Sequence, residues 1–142
     1  KLGPEPLGDS FTLPQFLQSC AKRDRAIKLQ IMDNTIVVGV GNIYACEALS
    51  MAGINPKRAA SRVSKSRLTK LYESIRLVLT RSIEQGGTTL KDFLHSDGQP
   101  GYFKQQLEVY DREGKLCNCC GATIKRIILG QRSTFYCPKC QR

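Results

Sequence analysis

Two Cys-x-x-Cys pairs near the carboxyl end constrain the fold of this chain more than any other feature. Cys137 and Cys140 form one pair, and the other must be drawn from Cys117, Cys119 and Cys120. Cys117 with Cys120 leaves two residues between its members, and the glycine that follows supplies a tight turn. Four thiolates in this arrangement can hold a zinc ion at about 2.3 Å from each sulfur. The spacing therefore predicts one zinc ion bound by Cys117, Cys120, Cys137 and Cys140, with Cys119 as the spare.

Zinc explains these cysteines better than disulfide bonds do. The chain has 7 cysteines, an odd number, and its first residues contain no apolar core like that of a signal peptide. Four protein ligands leave no open position for water or substrate, so we expect a structural zinc. The surrounding residues include too few apolar side chains for an independent core, and metal binding would then supply the folding free energy. Cys20 and Cys46 are predicted to be core residues.

The charge balance points to a polyanionic partner. The 142 residues include 22 Lys and Arg against 12 Asp and Glu, a net charge of +10. Such an excess favours nucleic acid as the partner, and an anionic membrane less often. No apolar run approaches the ~20 residues that a membrane-spanning helix needs. We expect a cytoplasmic, nucleoid-associated protein with no membrane partner.

Hydrophobic periodicity predicts helices up to about residue 105. The predicted helices are a short one after Thr12, residues 26–32, residues 43–51, residues 65–85 and residues 89–94. The longest has apolar residues at steps of three and four from Leu68 to Ile83, which indicates one buried stripe. Residues 34–42 contain β-branched side chains followed by two glycines, and this pattern is compatible with a strand or with a tight connection between helices.

The cysteine-containing end has the pattern of a small β module. Residues 107–117 alternate between apolar and polar side chains and contain a Glu-Gly turn. Residues 125–137 predict two strands around a turn at residues 130–132. The fold class is therefore mainly α, with a small zinc-bound β-hairpin at the end. The two predicted domains are residues 1–105 and residues 106–142.

Three features could contact a phosphate backbone. Arg132, predicted at the hairpin tip, lies in a segment from Gly114 to Arg142 without Asp or Glu, and a guanidinium can bind phosphate through two hydrogen bonds. A second group of cations consists of Lys22, Arg23, Arg25 and Lys28. The third feature is the pair of glycines before a helix that starts near Asn42, where free backbone amides could approach an anion. The alternatives are a solvated side chain for Arg132 and a plain helix cap for Asn42.

Several motifs together resemble bacterial formamidopyrimidine-DNA glycosylases. In chain order they are LGPEPL, AIKLQIMDN, VVGVGNIYACEAL, AGINP, GGTTLKDF, SDGQPGYF and the four-cysteine end with QRSTFYCPKCQ. The resemblance covers essentially the whole chain and matches the C-terminal half of such an enzyme. It implies a helix–two-turn–helix bundle followed by a zinc-finger hairpin. Leu29 departs from the family, which often has proline at that position.

The resemblance implies a role in base-excision repair. In that family the intact enzyme flips the damaged nucleotide out of the duplex, removes oxidised purines such as 8-oxoguanine and formamidopyrimidines, and nicks the strand. Its proline nucleophile and adjacent glutamate lie in an N-terminal domain, whereas this chain begins with Lys1 and Leu2. We therefore expect a piece of a longer or processed protein, inactive alone as a glycosylase and AP lyase. Its expected partners are damaged double-stranded DNA and that N-terminal domain, and we expect a monomer.

The resemblance also assigns residues to the DNA contact. The residues that match the DNA-binding surface are Arg23, Lys28, Gly41, Asn42, Tyr102 and Arg132. Arg132 corresponds to the finger arginine that binds phosphate beside the lesion and takes part in the final elimination. Residues 96–103, which include Tyr102, match the segment that closes over the flipped base.

Two other functions are compatible with the residues. One is a free-standing zinc-dependent module that binds nucleic acid. The other is a domain whose basic surface is only solvated and whose zinc is only a structural staple. The last possibility predicts no salt-sensitive binding to duplex DNA, so the salt response separates it from the first two.

Overall fold

A computed structural model describes residues 2–84 and 107–142 of the chain. Its elements are α1 Leu13–Ala21, α2 Ile27–Met32, α3 Asn42–Ala52, a short 3-10 helix Ala60–Arg62, α4 Lys65–Glu84, β1 Lys125–Leu129 and β2 Arg132–Tyr136. The mainly helical fold with a C-terminal hairpin is as predicted. The predicted helix at 89–94 and the boundary between residues 105 and 106 lie outside the described residues. No helix in the described part combines the length and apolar character needed to cross a membrane.

The long helix α4 packs one face against α1 and α3. Its predicted stripe is confirmed over most of its length; the buried residues are Leu68, Leu71, Ser74, Ile75, Val78, Leu79 and Ser82. Ile83, which the sequence predicts to extend the stripe, is instead 58% exposed. At 3.6 residues per turn the buried face passes through residue 82. The buried Ser82 hydroxyl donates a hydrogen bond to the Leu79 carbonyl at 2.9 Å. The prediction for Ile83 is therefore wrong by one residue.

The stretch between α2 and α3 is a tight connection rather than a strand, and the side chain of Asp33 organises it. Its carboxylate accepts hydrogen bonds from the Thr35 hydroxyl at 2.6 Å, from the Thr35 amide at 2.8 Å and from Arg25 Nη2 at 2.7 Å. These bonds hold the pKa of Asp33 at about 2. Gly39, with φ of 83°, adopts a conformation that favours glycine. The connection thus fixes where α3 begins relative to the end of α2.

Helix α3 is buried along most of its length. Its residues from Tyr44 to Leu49 are all buried, because α3 lies between α4 and the C-terminal hairpin. Gly53 ends the helix in the left-handed conformation, with φ of 73°, and donates its N–H to the Ser50 carbonyl at 3.1 Å. Glycine commonly ends helices in this way, because it adopts the left-handed conformation without a steric penalty. The helix is therefore in contact with both parts of the molecule.

The hairpin pairs β1 with β2 in antiparallel register, with Leu129 opposite Arg132. Its turn consists of Gly130 and Gln131, which have φ of 59° and 65°. Two consecutive residues with positive φ are what a two-residue type I′ turn needs. Arg132 is therefore the first residue of β2 and follows the turn, whereas the sequence pattern places it within the turn.

Residues 107–117 form successive turns, which include the predicted turn at Glu113 and Gly114. The alternating pattern on either side of that turn does not form strands; Leu116 makes only an isolated bridge to Thr123. The Glu47 carboxylate of α3 accepts the backbone N–H groups of Glu108, Val109 and Tyr110 at 2.8, 3.0 and 2.9 Å. Burial raises the pKa of Glu47, and these three bonds oppose the rise. Because one carboxylate accepts hydrogen bonds from three consecutive amides, the backbone turns around it. Those amides are then not available to pair with a neighbouring strand.

Candidate metal centre and nucleic-acid interface

The four predicted zinc ligands lie together at the base of the hairpin. Their sulfur atoms are all within 4.8 Å of one another. Cys117 Sγ is 3.9 Å from Cys140 Sγ, and Cys120 Sγ is 3.4 Å from Cys137 Sγ. A tetrahedral zinc ion about 2.3 Å from each sulfur sets sulfur-to-sulfur distances of about 3.8 Å, whereas a disulfide needs about 2.05 Å. The cluster therefore fits one structural zinc ion, as the sequence predicts.

The backbone around the cysteines holds the sulfur atoms in place. The Cys119 amide donates to Cys117 Sγ at 3.4 Å, and the Cys140 amide donates to Cys137 Sγ at 3.3 Å. Gly121, with φ of 78°, reverses the chain after the first pair. Cys119 itself is exposed and lies outside the four-sulfur cluster. The sulfur positions are those expected if Cys119 is the spare.

A second, small core attaches the finger to the helical part of the molecule. Its buried residues are Cys46, Val109, Ile124, Phe135 and Cys137. Burial raises the pKa of the Cys46 thiol, and it raises that of Cys20 in the main core to about 11, so both remain protonated core residues. Gln141 adds a polar link, because it accepts the Cys137 N–H at 2.8 Å and donates to the Ile54 carbonyl at 3.0 Å.

Lys28 joins α2, α3 and the hairpin through its ammonium group. Its Nζ donates to Asn42 Oδ1 at 2.5 Å and to Thr134 Oγ1 at 2.6 Å. Asn42 in turn donates Nδ2 to the Ser133 carbonyl at 2.9 Å. We call these four residues, Lys28, Asn42, Ser133 and Thr134, the junction network. It fixes the start of α3 against the first half of β2.

Lys28 is wholly buried, with 0% exposure, although the sequence predicts a cation that contacts DNA. Burial lowers its pKa, because the ammonium loses its hydration. No carboxylate of the described residues forms an ion pair with it. Two of its three donors are used by Asn42 and Thr134. The contacts of Lys28 in this structure are therefore internal, and its contact with DNA stays a prediction.

The start of α3 is open to an anion. Gly41 is the N-cap residue, and no side chain caps the helix. Asn42 does not take the alternative capping role, because its amide is engaged with Lys28 and Ser133. Gly41 is exposed, and a Cβ placed on it would meet no atom within 4 Å. There is therefore open space beside Gly41 at the start of α3, and an anion could approach the helix there.

The remaining predicted cations differ in their exposure and in their ion pairs. Arg132 is exposed and begins β2 beside the junction network, and Arg23 is also exposed. The Nη2 atom of Arg23 lies 3.8 Å from the Asp33 carboxylate, whereas that of Arg25 lies 2.7 Å from it. Arg25 is thus held within the fold. Tyr102 lies outside the described residues.

The sequence patterns do not identify Ser133 and Thr134 of the junction network, and they do not identify the role of the Glu47 carboxylate. Thr134 is a wholly buried polar residue in a strand. A polar residue at a position that faces the core is the one local signal for an internal hydrogen bond.

Cys119 and Cys120 are neighbours in the sequence, but only Cys120 belongs to the four-sulfur cluster. Cys120→Ser should lose most of the bound zinc and unfold the finger, because metal binding supplies its folding free energy. Cys119→Ser should keep one zinc ion per chain. Emission spectrometry of the two purified variants measures both outcomes. Loss of zinc from Cys119→Ser would show that the ligand has been assigned to the wrong cysteine.

Two family models match the chain. The formamidopyrimidine-DNA glycosylase H2TH domain matches residues 2–94, and the zinc finger found in FPG and IleRS matches residues 114–142. The chain is 57% identical to formamidopyrimidine-DNA glycosylase of Klebsiella pneumoniae over 141 residues, which are 99% of this chain and 52% of the relative. Identity to the Pseudomonas aeruginosa enzyme is 54%, with the same coverage. The chain thus spans about half the length of the curated relatives that it matches.

Solved structures agree over the same length. The MutM (Fpg) protein of Thermus thermophilus superposes with a TM-score of 0.89 at 40% identity, covering 99% of this chain and 53% of that one. The Lactococcus lactis enzyme bound to DNA with an AP site superposes with a TM-score of 0.88 at 34% identity, covering 100% of this chain and 51% of that one. This chain belongs to the formamidopyrimidine-DNA glycosylase family and contains its helix–two-turn–helix domain and its zinc finger.

Proposed function

We propose that this chain binds damaged duplex DNA on behalf of a glycosylase and AP lyase that removes oxidised purines. The observation that carries the proposal is the junction network, which holds the open start of α3 beside the strand that begins with Arg132. Helix-start amides and guanidinium groups are both good phosphate ligands. Held at a fixed separation, they can bind the phosphates of one DNA strand together.

The charge of the finger supports binding to a sugar–phosphate backbone. The segment from Gly114 to Arg142 has no Asp or Glu, and its cations are Lys115, Lys125, Arg126, Arg132, Lys139 and Arg142. Binding at such a surface releases counterions from DNA, so log affinity falls with log salt by ~0.9 per neutralised phosphate. Phosphate contacts carry little sequence information, and we therefore expect nearly sequence-independent affinity.

The lesion class in this proposal comes from the relatives. The Lactococcus lactis enzyme has been crystallised with DNA that contains an AP site and with DNA that contains Fapy-dG. We assign 8-oxoguanine and formamidopyrimidines to the whole protein as substrates, in the bacterial cytoplasm at the chromosome. Arg132 would bind the phosphate beside the lesion and assist the final elimination, and its exposure at the start of β2 is compatible with that role.

The excision chemistry in this proposal belongs to an N-terminal catalytic domain of the same protein. An apolar groove of about 580 Å³ supports the docking of such a domain, since its lining includes Leu2, Leu7, Val38, Leu79 and Ile83. Leu2 and Ile83 are 71% and 58% exposed. Exposed apolar surface of this kind is typical of an interface. One catalytic domain and one copy of this chain would form a monomeric enzyme.

Arg132→Ala should weaken binding to a duplex with an abasic-site analogue by about tenfold or more, since hydrogen bonds to charged groups contribute ~1.5–3 kcal/mol. The slope of log affinity against log salt should become shallower by ~0.9, the value for one phosphate. Fluorescence anisotropy at several salt concentrations measures both quantities.

Lys70→Ala is the matched control, because Lys70 is an exposed cation on α4 and is not a residue of the finger. It should change the affinity little. Equal effects of the two substitutions would mean that Arg132 contributes only to the net charge. A flat salt response of the unsubstituted chain would contradict DNA binding itself.

The chain alone should bind an 8-oxoguanine duplex without removing the base. The resemblance places the nucleophilic proline and its glutamate in the N-terminal domain, and the chain matches only 52% of the length of the Klebsiella pneumoniae relative. Borohydride should therefore trap no covalent complex, while the full-length Klebsiella pneumoniae enzyme serves as the positive control. A trapped complex would reveal an amine nucleophile within these 142 residues and overturn this division of roles.

A further inference from the structure

The turn of the finger rests on a side chain of α2. A Cβ placed on Gly130 would lie 2.5 Å from Leu29 Cδ2, 3.7 Å from its Cγ and 3.8 Å from its Cδ1. Real Cβ contacts are not this short, so Leu29 occupies the space directly beside the turn. The φ of 59° favours glycine at position 130, and a methyl group added there would displace the end of the Leu29 side chain.

Leu29 directly follows Lys28, which binds β2. Lys28 Nζ donates to Thr134 Oγ1 at 2.6 Å, so two consecutive residues of α2 contact the hairpin at the turn and in β2. Arg132 lies between these two contacts. It projects from the same face of β2 as Thr134, because side chains two apart in a strand share a face. Burial lowers the pKa of Lys28, and the charge of Arg132 also lowers it.

We propose that Leu29 is a positioning residue for Arg132. Its side chain fixes the distance between the hairpin turn and α2, and thereby the direction from which the Arg132 guanidinium approaches a phosphate at the start of α3. The inference rests on the proposed DNA binding. It goes beyond it by assigning a role to a residue whose apolar side chain offers no ligand to a phosphate.

A plain packing role for Leu29 makes a different prediction. Leu29 is only partly buried, and a packing contact would affect the stability of the finger without regard to the residue at position 132. A positioning role requires that the effect of Leu29 on DNA affinity depend on the presence of Arg132. Energetic coupling between the two substitutions therefore distinguishes the two roles.

The first test is a double-mutant cycle with Leu29→Ala and Arg132→Ala on the full 142-residue chain. Anisotropy with an abasic-analogue duplex gives the dissociation constants. Leu29→Ala should weaken binding about twofold or more when Arg132 is present, the lower end of the coupling between neighbouring residues. It should have no effect when Arg132 is alanine. The same loss in both backgrounds overturns the proposal.

Leu77→Ala is the control for the loss of a leucine that is not fully buried, since Leu77 lies on α4 and is 43% exposed. It should leave the affinity unchanged. Zinc content and melting temperature of every variant show whether the finger is folded. A flat salt response of the unsubstituted chain overturns the DNA-binding proposal and this one together, whereas normal binding with additive losses overturns only the role of Leu29.

A second test uses Gly130→Ala and does not depend on removing a charge. The added methyl group collides with Leu29, and the strain of positive φ comes in addition. In a Leu29→Ala background the collision is relieved while the φ strain remains. Gly130→Ala should therefore reduce DNA affinity less in that background than in the unsubstituted chain. An equal reduction in both would show that Leu29 does not set the position of the turn.

Discussion

The buried ammonium group of Lys28 is the constraint on which the rest of the site depends. Moving an ammonium out of water costs several kcal/mol even in a real protein interior, so its donors must find acceptors. Asn42 and Thr134 supply them at 2.5 and 2.6 Å. Such a network is satisfied in only one relative placement of α2, α3 and β2, whereas apolar contacts tolerate small shifts. The start of α3 and the arginine strand therefore keep one separation.

Helix α3 extends this constraint along the whole finger. Asn42 contacts the hairpin at the start of the helix, Cys46 and Glu47 contact the finger core and the turns before it, and Ile54 binds Gln141 just beyond its end. Zinc fixes the cysteine end of the same finger. Phosphate ligands of two kinds, helix amides and a guanidinium, can thus act as one rigid group, which lowers the entropy lost on binding a flexible backbone.

The parts of this structure that depend on local spacing could be predicted from the sequence. The zinc ligands follow from the two Cys-x-x-Cys pairs, and α1, α2 and α4 follow from helical periodicity. The junction network could not be predicted, because the partners of Lys28 lie 14 and 106 residues away. The three amides held by Glu47 are 61 to 63 residues away, so the local pattern of residues 107–117 could not predict the turns that these bonds stabilise. Ile83 shows that periodicity does not fix the last buried residue of a helix. Successive side chains differ by about 100° around the helix axis, so an error of one residue changes the predicted face.

The junction network can be tested without touching any group that could reach DNA. Thr134 is 0% exposed, and Thr134→Val keeps its shape while removing one of the two acceptors of Lys28. We expect a destabilised chain, since a buried donor left without a partner costs about 1–3 kcal/mol. Titrated with an abasic-analogue duplex, the folded, zinc-loaded variant should bind more weakly and with a shallower salt slope. Affinity and slope equal to those of the unsubstituted chain would contradict the idea that this network sets the phosphate-binding geometry.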